Sequence, residues 1–140
     1  MTTEDETKAA VGVVTKFLRL MERRDLVAAS RYLAPGVDMV FPGDRHFGDL
    51  EALVESARKR YRNVTKDIES VEAIRDGDTS VIYVMGRLSG VSTNDVVFEN
   101  VRFIDRLVVK SGLIADHRVW NDLAESGLLI DQAVIKESSV

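Results

Sequence analysis

The spacing of apolar residues along the chain changes once, near Arg62. Before that point, apolar residues recur every three or four positions, which is the period of an α-helix. After it, apolar and polar residues alternate, which is the period of a β-strand. The pattern therefore predicts helices interrupted by one small hairpin, and then a long antiparallel meander, which is an α+β fold with helices covering one face of a curved sheet.

The first predicted helix is long and amphipathic and runs from about residue 6 to residue 23. Acidic residues open it and Arg23 and Arg24 close it, as the helix dipole favours. Its apolar residues fall on a single face, which we expect to be buried. They are Ala10, Val13, Val14, Phe17, Leu18 and Met21.

Shorter elements follow. Asp25 is a suitable N-cap for a second helix through about Leu33, and Asp49 is one for a third helix. Between them, a short strand from Val37 to Phe41 is predicted to turn at Pro42-Gly43-Asp44 and to return through His46-Phe47.

The second half predicts a meander of four strands. Asp76-Gly77 and Ser111-Gly112 are hairpin dipeptides, and a longer polar turn runs from Gly90 to Asp95. The predicted strands are 65–75, 80–90, 96–109 and 113–121.

A two-residue turn at Ser111-Gly112 makes Lys110 pair with Leu113. A regular ladder from there predicts that Asp105 faces Arg118, Phe103 faces Trp120 and Val101 faces Asp122. These six side chains would share one face, because alternate residues of a strand point the same way. The same register puts His117 on the opposite face, against Arg106.

Composition narrows the classes of protein. The chain has 140 residues, 45% of them apolar and 30% charged, as expected of one soluble globular domain. It has no cysteine, which excludes disulfides, a thiol nucleophile and a thiolate metal site, and it has two histidines. A net charge of −4 argues against nucleic-acid binding. Without a long apolar run or a secretion signal, we expect no membrane association and a cytoplasmic location.

The element order, with the stretches FPGDRHFG, VRFIDRLVVKSGLI and VWNDLAE, resembles the nuclear transport factor 2-like superfamily, in particular its SnoaL-like polyketide cyclase branch. The resemblance covers about residues 8–127. It implies a cone, or α+β barrel, in which a bent antiparallel sheet surrounds the first helix and encloses an apolar pocket. It also implies a homodimer through the outer sheet face, and chemistry by carboxylates or histidines without a cofactor or metal. We divide the chain into a domain at 1–127 and an extension at 128–140.

The resemblance also suggests catalytic residues. Trp120-Asn121-Asp122 is similar to the end of the last strand of limonene epoxide hydrolase, where Asp122 would match a catalytic aspartate. Gly86 and Leu88 occupy the places of that enzyme's Arg–x–Asp pair, so its triad is absent. His117, five residues before Asp122, resembles a SnoaL-like pattern, although Arg118 replaces the usual tryptophan.

Each candidate has two interpretations. Asp122 is either a pocket acid that moves a proton or the N-cap of a short helix with Glu125 as its partner. Arg118 either forms a ladder pair with Asp105 or polarises a substrate oxygen. His117 is either a surface or interface residue of the outer face or a group that assists catalysis. The expected pocket residues are Phe17, Leu88, Glu99, Val101, Phe103, Asp105 and Trp120.

Three functions stay open at this point. The first is a cofactor-independent enzyme that transfers a proton on a hydrophobic small molecule, by isomerisation, cyclisation or dehydration. The second is a non-catalytic ligand-binding domain, and the third is a dimeric scaffold. We expect dimerisation through Tyr83, Met85, Phe98 and Ile104, and we expect the tail from Ser126 onward to pack on the sheet or on a partner.

Overall fold

The computed structural model describes residues 2–126, and the extension predicted at 128–140 lies outside these residues. The predicted order of helices and strands is confirmed. The elements are α1 Thr3–Glu22, α2 Leu26–Ser30, β1 Leu33–Phe41, β2 Arg45–Phe47, α3 Leu50–Arg58, β3 Tyr61–Asp76, β4 Thr79–Ser92, β5 Val97–Lys110, β6 Leu113–Asn121 and a 3₁₀ turn, Leu123–Ser126.

The six strands form one curved sheet in the order β2-β1-β6-β5-β4-β3, and the sheet does not close into a barrel. Neighbouring strands are antiparallel, except that β1 runs parallel to β6. The predicted meander is confirmed. The parallel pairing was not predicted, and it extends the sheet so that the small hairpin lies beside the last strand.

Helix α1 packs against β3, β4 and β6, on the inner face of the sheet. Thr2 and Asp5 form a capping box at its start, in which each side chain accepts from the other residue's backbone N–H. Ala10, Val14, Phe17 and Leu18 are buried, which confirms the predicted apolar face. A fully buried phenylalanine such as Phe17 contributes about 3–5 kcal/mol, judged by the usual cost of truncation to alanine.

Strand β4 approaches β3 too closely for side chains at two positions. A Cβ on Gly86 would lie 1.9 Å from the carbonyl oxygen of Asp67, and one on Gly90 would lie 2.2 Å from that of Asn63. Beside Gly86, the pairing of the two strands is interrupted between Ile68 and Ser70. Glycine therefore permits the local bend of the sheet next to the interior.

The hairpin turns follow their sequences. Ser111 and Gly112 have φ values of 52° and 77°, the left-handed conformation that a two-residue hairpin turn requires. Lys110 pairs with Leu113, as predicted. Within residues 2–126, no helix is both long enough and apolar enough to cross a membrane.

Candidate active site

A cavity of about 160 Å³ lies between α1, α3 and the inner face of the sheet. Apolar side chains make most of its wall, among them Phe17 of α1, Leu53 of α3 and Leu88 of β4. Titratable side chains also line it, and three of them come from three different strands and contact one another. Lys66 comes from β3, Asp105 from β5 and His117 from β6, and we call them the central cluster.

Asp105 is the centre of this cluster and is completely buried. Its Oδ2 accepts hydrogen bonds from the Lys66 ammonium and, at 3.1 Å, from His117 Nε2. Burial alone raises the pKa of Asp105, but Lys66 and His117 outweigh burial and lower that pKa to about 2. The carboxyl is therefore ionised at any ordinary pH.

His117 has one engaged and one free ring nitrogen. An ionised carboxylate can only accept, so Nε2 carries the proton that His117 shares with Asp105. The other nitrogen, Nδ1, is buried and has no hydrogen-bond partner among the described residues, and the same is true of Asp105 Oδ1. Phe17 and Phe41 hold the ring edge-on, with centroid distances of 5.9 and 5.8 Å. A neutral His117 therefore keeps an available lone pair on Nδ1 within an apolar enclosure.

Lys66 brings a positive charge to the lining of the cavity. Its Nζ lies 4.8 Å from the centre of the Phe103 ring, besides its bond to Asp105. The ammonium has three N–H donors, and the contact with Asp105 uses one of them. A ligand oxygen near this group would meet both a donor and a full positive charge.

Three arginines line the cavity where it meets solvent. Arg24 follows α1, Arg45 lies on β2, and Arg60 precedes β3. Arg24 is exposed and the other two are half-buried. Tyr61 lies beside Arg60, and burial raises the pKa of its hydroxyl, which keeps that group neutral. The cavity therefore has a basic opening above the central cluster.

A β-bulge corrects the predicted register between β5 and β6. Val109 pairs with Ile114, but Val108 pairs with Asp116, so Ala115 is an extra residue. Beyond the bulge, every pairing shifts by one residue. The predicted pairs of Asp105 with Arg118 and of Phe103 with Trp120 are wrong: Asp105 lies opposite Val119, and Phe103 lies opposite Asn121.

The shift exchanges the two faces of β6, because neighbouring side chains of a strand point in opposite directions. His117, predicted on the outer face, lies on the inner face and is 3% exposed. Trp120, predicted in the pocket, is 52% exposed on the outer face. Arg118 is also exposed there, and its Nε donates to Asp116 at 3.0 Å.

A second bulge corrects the other end of β5. Leu88 pairs with Val101 and Gly90 with Phe98, so Glu99 and Asn100 lie opposite Ser89 alone. Asn100 has a φ of 57°, which asparagine tolerates better than most residues. Phe98, predicted on the outer face, is buried with its ring centre 5.9 Å from that of Tyr61. Glu99, predicted in the pocket, is exposed.

Asp122 lies outside the cavity lining described for residues 2–126. Arg102 Nε donates to its Oδ2 at 2.6 Å. At the start of the 3₁₀ turn, the side chain that accepts from the Leu123 N–H is Asn121, at 3.2 Å. Asp122 thus precedes the turn, as predicted for a cap, and its carbonyl accepts from the Glu125 N–H at 3.0 Å, but its carboxylate pairs with Arg102.

The structure brings five of the predicted site residues together around the cavity. They are Phe17, Leu88, Phe103, Asp105 and His117. Val101 is buried in the core without lining the cavity, whereas Glu99, Trp120 and Arg118 are exposed. The catalytic and binding roles of all these residues stay predictions.

Sequence reasoning missed Lys66. The signal was present, since Lys66 stands between Val64 and Ile68 in an alternation in which the apolar partners point inward. A lysine at an inward position of a strand indicates either a buried ion pair or a site. Within the described range, no three His, Asp or Glu side chains are grouped so as to hold a metal ion.

No protein-family model and no curated protein matches the sequence. Solved structures do match. A nuclear transport factor 2-like protein of unknown function from Burkholderia pseudomallei has a TM-score of 0.72 and 20% identity, over 87% of this chain and 97% of that one. A candidate dehydratase of the same family from Streptomyces avermitilis has a TM-score of 0.66 and 16% identity, over 84% of this chain and 96% of that one.

A candidate SnoaL-like polyketide cyclase from Jannaschia has a TM-score of 0.63 and 19% identity, over 90% of this chain and 94% of that one. At these identities the comparisons establish the fold and not the activity. They confirm the resemblance seen in the sequence. The chain has the nuclear transport factor 2-like fold, with SnoaL-like proteins among its structural neighbours.

Proposed function

We propose that the protein is a cofactor-independent enzyme that transfers a proton on a hydrophobic small molecule. The observation that carries this proposal is the central cluster, where a buried Asp105 binds both Lys66 and His117 beside an apolar cavity. An unpartnered buried nitrogen costs about 1–3 kcal/mol, so His117 Nδ1 calls for a functional reason.

In the proposed mechanism, His117 is the acid–base group. Its Nδ1 takes a proton from a carbon next to a carbonyl, and the C–H electron pair moves onto the carbonyl oxygen to give an enolate. Asp105, bound at Nε2, stabilises the resulting imidazolium and holds the ring in position. His117 then returns the proton to another carbon, or to a departing hydroxyl that leaves as water.

Lys66 supplies the complementary charge. An enolate oxygen carries the negative charge that develops in this step, and an ammonium in a water-poor cavity stabilises it more than one in water does. Isomerisation, cyclisation and dehydration all pass through such a step. The structural neighbours described as a candidate dehydratase and a candidate polyketide cyclase support this group of reactions.

Solvent deuterium exchange tests the proposal without knowledge of the natural substrate. 2-Tetralone, an apolar bicyclic ketone, has acidic C–H bonds next to its carbonyl. In D₂O, the protein should accelerate the exchange of these hydrogens for deuterium. The exchange is measured as the loss of their proton NMR signal. His117→Gln should abolish that acceleration, whereas His46→Gln, at an exposed histidine, should retain it.

The competing function is a ligand-binding domain without catalysis, which the same cavity would serve. Such a protein would bind 2-tetralone, as measured by calorimetry, without accelerating exchange. Binding would then depend on the cavity wall, and His117→Gln would change it little.

A homodimer stays a proposal, now on a revised surface. Met85, Ile104 and Trp120 are neighbours across β4, β5 and β6 on the outer face, and the last two are 40% and 52% exposed. Such a row of apolar side chains is typical of an interface. Sedimentation at micromolar concentration should give about twice the 15.6 kDa chain mass, and Trp120→Lys should give the monomer.

A further inference from the structure

The arginines at the opening of the cavity have no carboxylate partners in the described part of the chain. Arg24 donates to the carbonyl of Met21 at 2.8 Å. Arg45 donates to the carbonyl of Pro42 at 2.9 Å and to Ser56 Oγ at 3.1 Å. Within residues 2–126, the Arg60 guanidinium has neither a hydrogen-bond nor an ion-pair partner.

Elsewhere in the same range, arginines that bind carboxylates are common, and none of them lines the cavity. They are Arg19, Arg58, Arg62, Arg75, Arg87, Arg102, Arg106 and Arg118. An acidic chain with a net charge of −4 has carboxylates to spare for such pairs. Arg23 and Arg31 also have no carboxylate partner among the described residues, but they are exposed and do not line the cavity. What distinguishes the three opening arginines is therefore that they line an apolar cavity without a carboxylate partner.

Like charges act on two of the opening arginines: Arg60 repels Arg45, and Arg58, which does not line the cavity, repels Arg24. Burial, and then the positive charge of Arg60, lowers the pKa of Arg45. Burial, and then the charge of Arg58, lowers the pKa of Arg24. Neighbouring cations in a half-buried site raise the free energy of the unliganded protein, and a bound anion would remove that cost.

The acidic groups of the cavity cannot provide this compensation. Glu22 accepts from Arg19 at 2.8 Å and from the backbone N–H of Lys66 at 3.3 Å. Asp105 is already bound to Lys66 and His117. Tyr61, the other titratable group beside Arg60, is kept neutral by burial.

We infer that the ligand is an amphiphilic acid whose carboxylate binds Arg60 and Arg45 at the opening while its apolar body fills the cavity. A guanidinium presents parallel N–H donors that match the two oxygens of a carboxylate. The apolar wall accounts for the rest of the ligand. If the acid end of the ligand is held at the opening, its opposite end contacts His117 and Lys66. Only the statement that this opposite end reacts rests on the proposed function.

Calorimetry with a matched pair of probes tests this inference. 2-Naphthoate and 2-naphthamide have the same ring system and differ in charge. The wild-type protein should bind naphthoate about tenfold or more tightly than naphthamide, since charge-assisted hydrogen bonds to a guanidinium are the stronger kind. The preference should weaken with added sodium chloride.

Arg60→Gln is the informative variant, and Arg62→Gln is its matched control. Both remove one positive charge from the same segment, but Arg62 is exposed, pairs with Asp95 at 2.8 Å and does not line the cavity. Arg60→Gln should weaken naphthoate binding about tenfold and leave naphthamide binding unchanged. Without ligand, its melting temperature should be equal to or above that of the wild type, because a repulsion with Arg45 is removed.

The inference is overturned if naphthoate does not bind, if both probes bind equally, or if Arg60→Gln keeps the full preference. It is also overturned if the two variants weaken naphthoate binding equally, since the effect would then come from overall charge. These results do not depend on His117. A preference for naphthoate without deuterium exchange on 2-tetralone would refute the proposed enzyme and leave the anion site standing. Deuterium exchange without a preference for naphthoate would refute the anion site and leave the proposed enzyme standing.

Discussion

The two histidines of this protein both contact aspartates, in opposite surroundings. His46, on β2, is half exposed, and its two ring nitrogens bind Asp38 and Asp44 at 2.9 and 2.8 Å. His117, on β6, is buried, and among residues 2–126 only its Nε2 has a hydrogen-bond partner. His46 must break a hydrogen bond to exchange a proton with a ligand, whereas His117 lines the cavity and its Nδ1 is bound by no described residue. A histidine–aspartate pair therefore indicates a site only when one ring nitrogen remains available.

The two histidine–aspartate contacts also differ in which group has a shifted pKa. Hydrogen bonds that the His46 ring donates to Asp38 and to Asp44 raise its pKa, with Asp38 the larger cause, and this favours its cationic form. At the other site, the perturbed group is the carboxyl: Lys66 and His117 overcome the burial of Asp105 and hold its pKa at about 2. The exposed pair strengthens a surface hairpin, and the buried cluster maintains an ionised acid within an apolar interior.

Replacing each histidine in turn tests whether only the buried one takes part in catalysis. We expect His117→Gln to slow deuterium exchange on 2-tetralone about 10²-fold or more, the usual scale of general acid–base catalysis. His46→Gln should exchange at the wild-type rate, because its ring is not part of the cavity lining. Equal effects of the two substitutions would remove His117 from the mechanism.

Replacing the lysine tests the second half of the cluster. Lys66→Met keeps the length of the side chain and removes its charge, so exchange should slow about tenfold to 10²-fold as the enolate loses its donor. Lys110→Met is the matched control, because Lys110 forms an exposed pair with Asp78 at 3.3 Å. If folded Lys66→Met exchanged deuterium into 2-tetralone at the wild-type rate, the reaction would need no cation at position 66.

Acid stability distinguishes the two aspartate environments. A carboxyl with a folded pKa of about 2, below the ordinary 3.8, stabilises the native state above about pH 4, and the stabilisation is lost as pH falls toward 2. The advantage of wild type over Asp105→Asn should therefore shrink by about 2 kcal/mol between pH 6 and pH 2, measured by urea unfolding. Asp38→Asn, at the exposed pair, should show a smaller change. A constant difference for Asp105→Asn would mean that the carboxyl is not held ionised.

The smallest expected effect concerns His46 itself. NMR titration of its ring should give a pKa above the ordinary 6.5, and Asp44→Asn should lower it. The raised value stabilises the folded state below about pH 6.5, and that stabilisation disappears as pH rises through the pKa of His46. Solvent screening at this exposed site keeps the effect small. An unshifted titration would mean that the two carboxylate contacts do not persist in solution.

The order of the helices and strands, and the fold that they form, could be predicted from the sequence, apart from the parallel pairing of β1 with β6. Apolar spacing placed the buried face of α1 on Ala10, Val14, Phe17 and Leu18. Asp25 and Asp49 cap the helices for which they were predicted, and Ser111-Gly112 forms the expected two-residue turn. These features depend on residues close together in the chain, so their physical causes are visible in a short window of sequence.

Which side chains contact one another could not be predicted from the sequence, because it depends on strand register. One extra residue at Ala115 turns His117 inward and Trp120 outward. The bulge at Glu99-Asn100 turns Phe98 inward and Glu99 outward. A bulge reverses every side chain beyond it, yet it depends on how the strands pack against α1 and against each other, which no local pattern reveals. The sequence contained the lysine, the aspartate and the histidine, and packing across three strands placed them in one cluster.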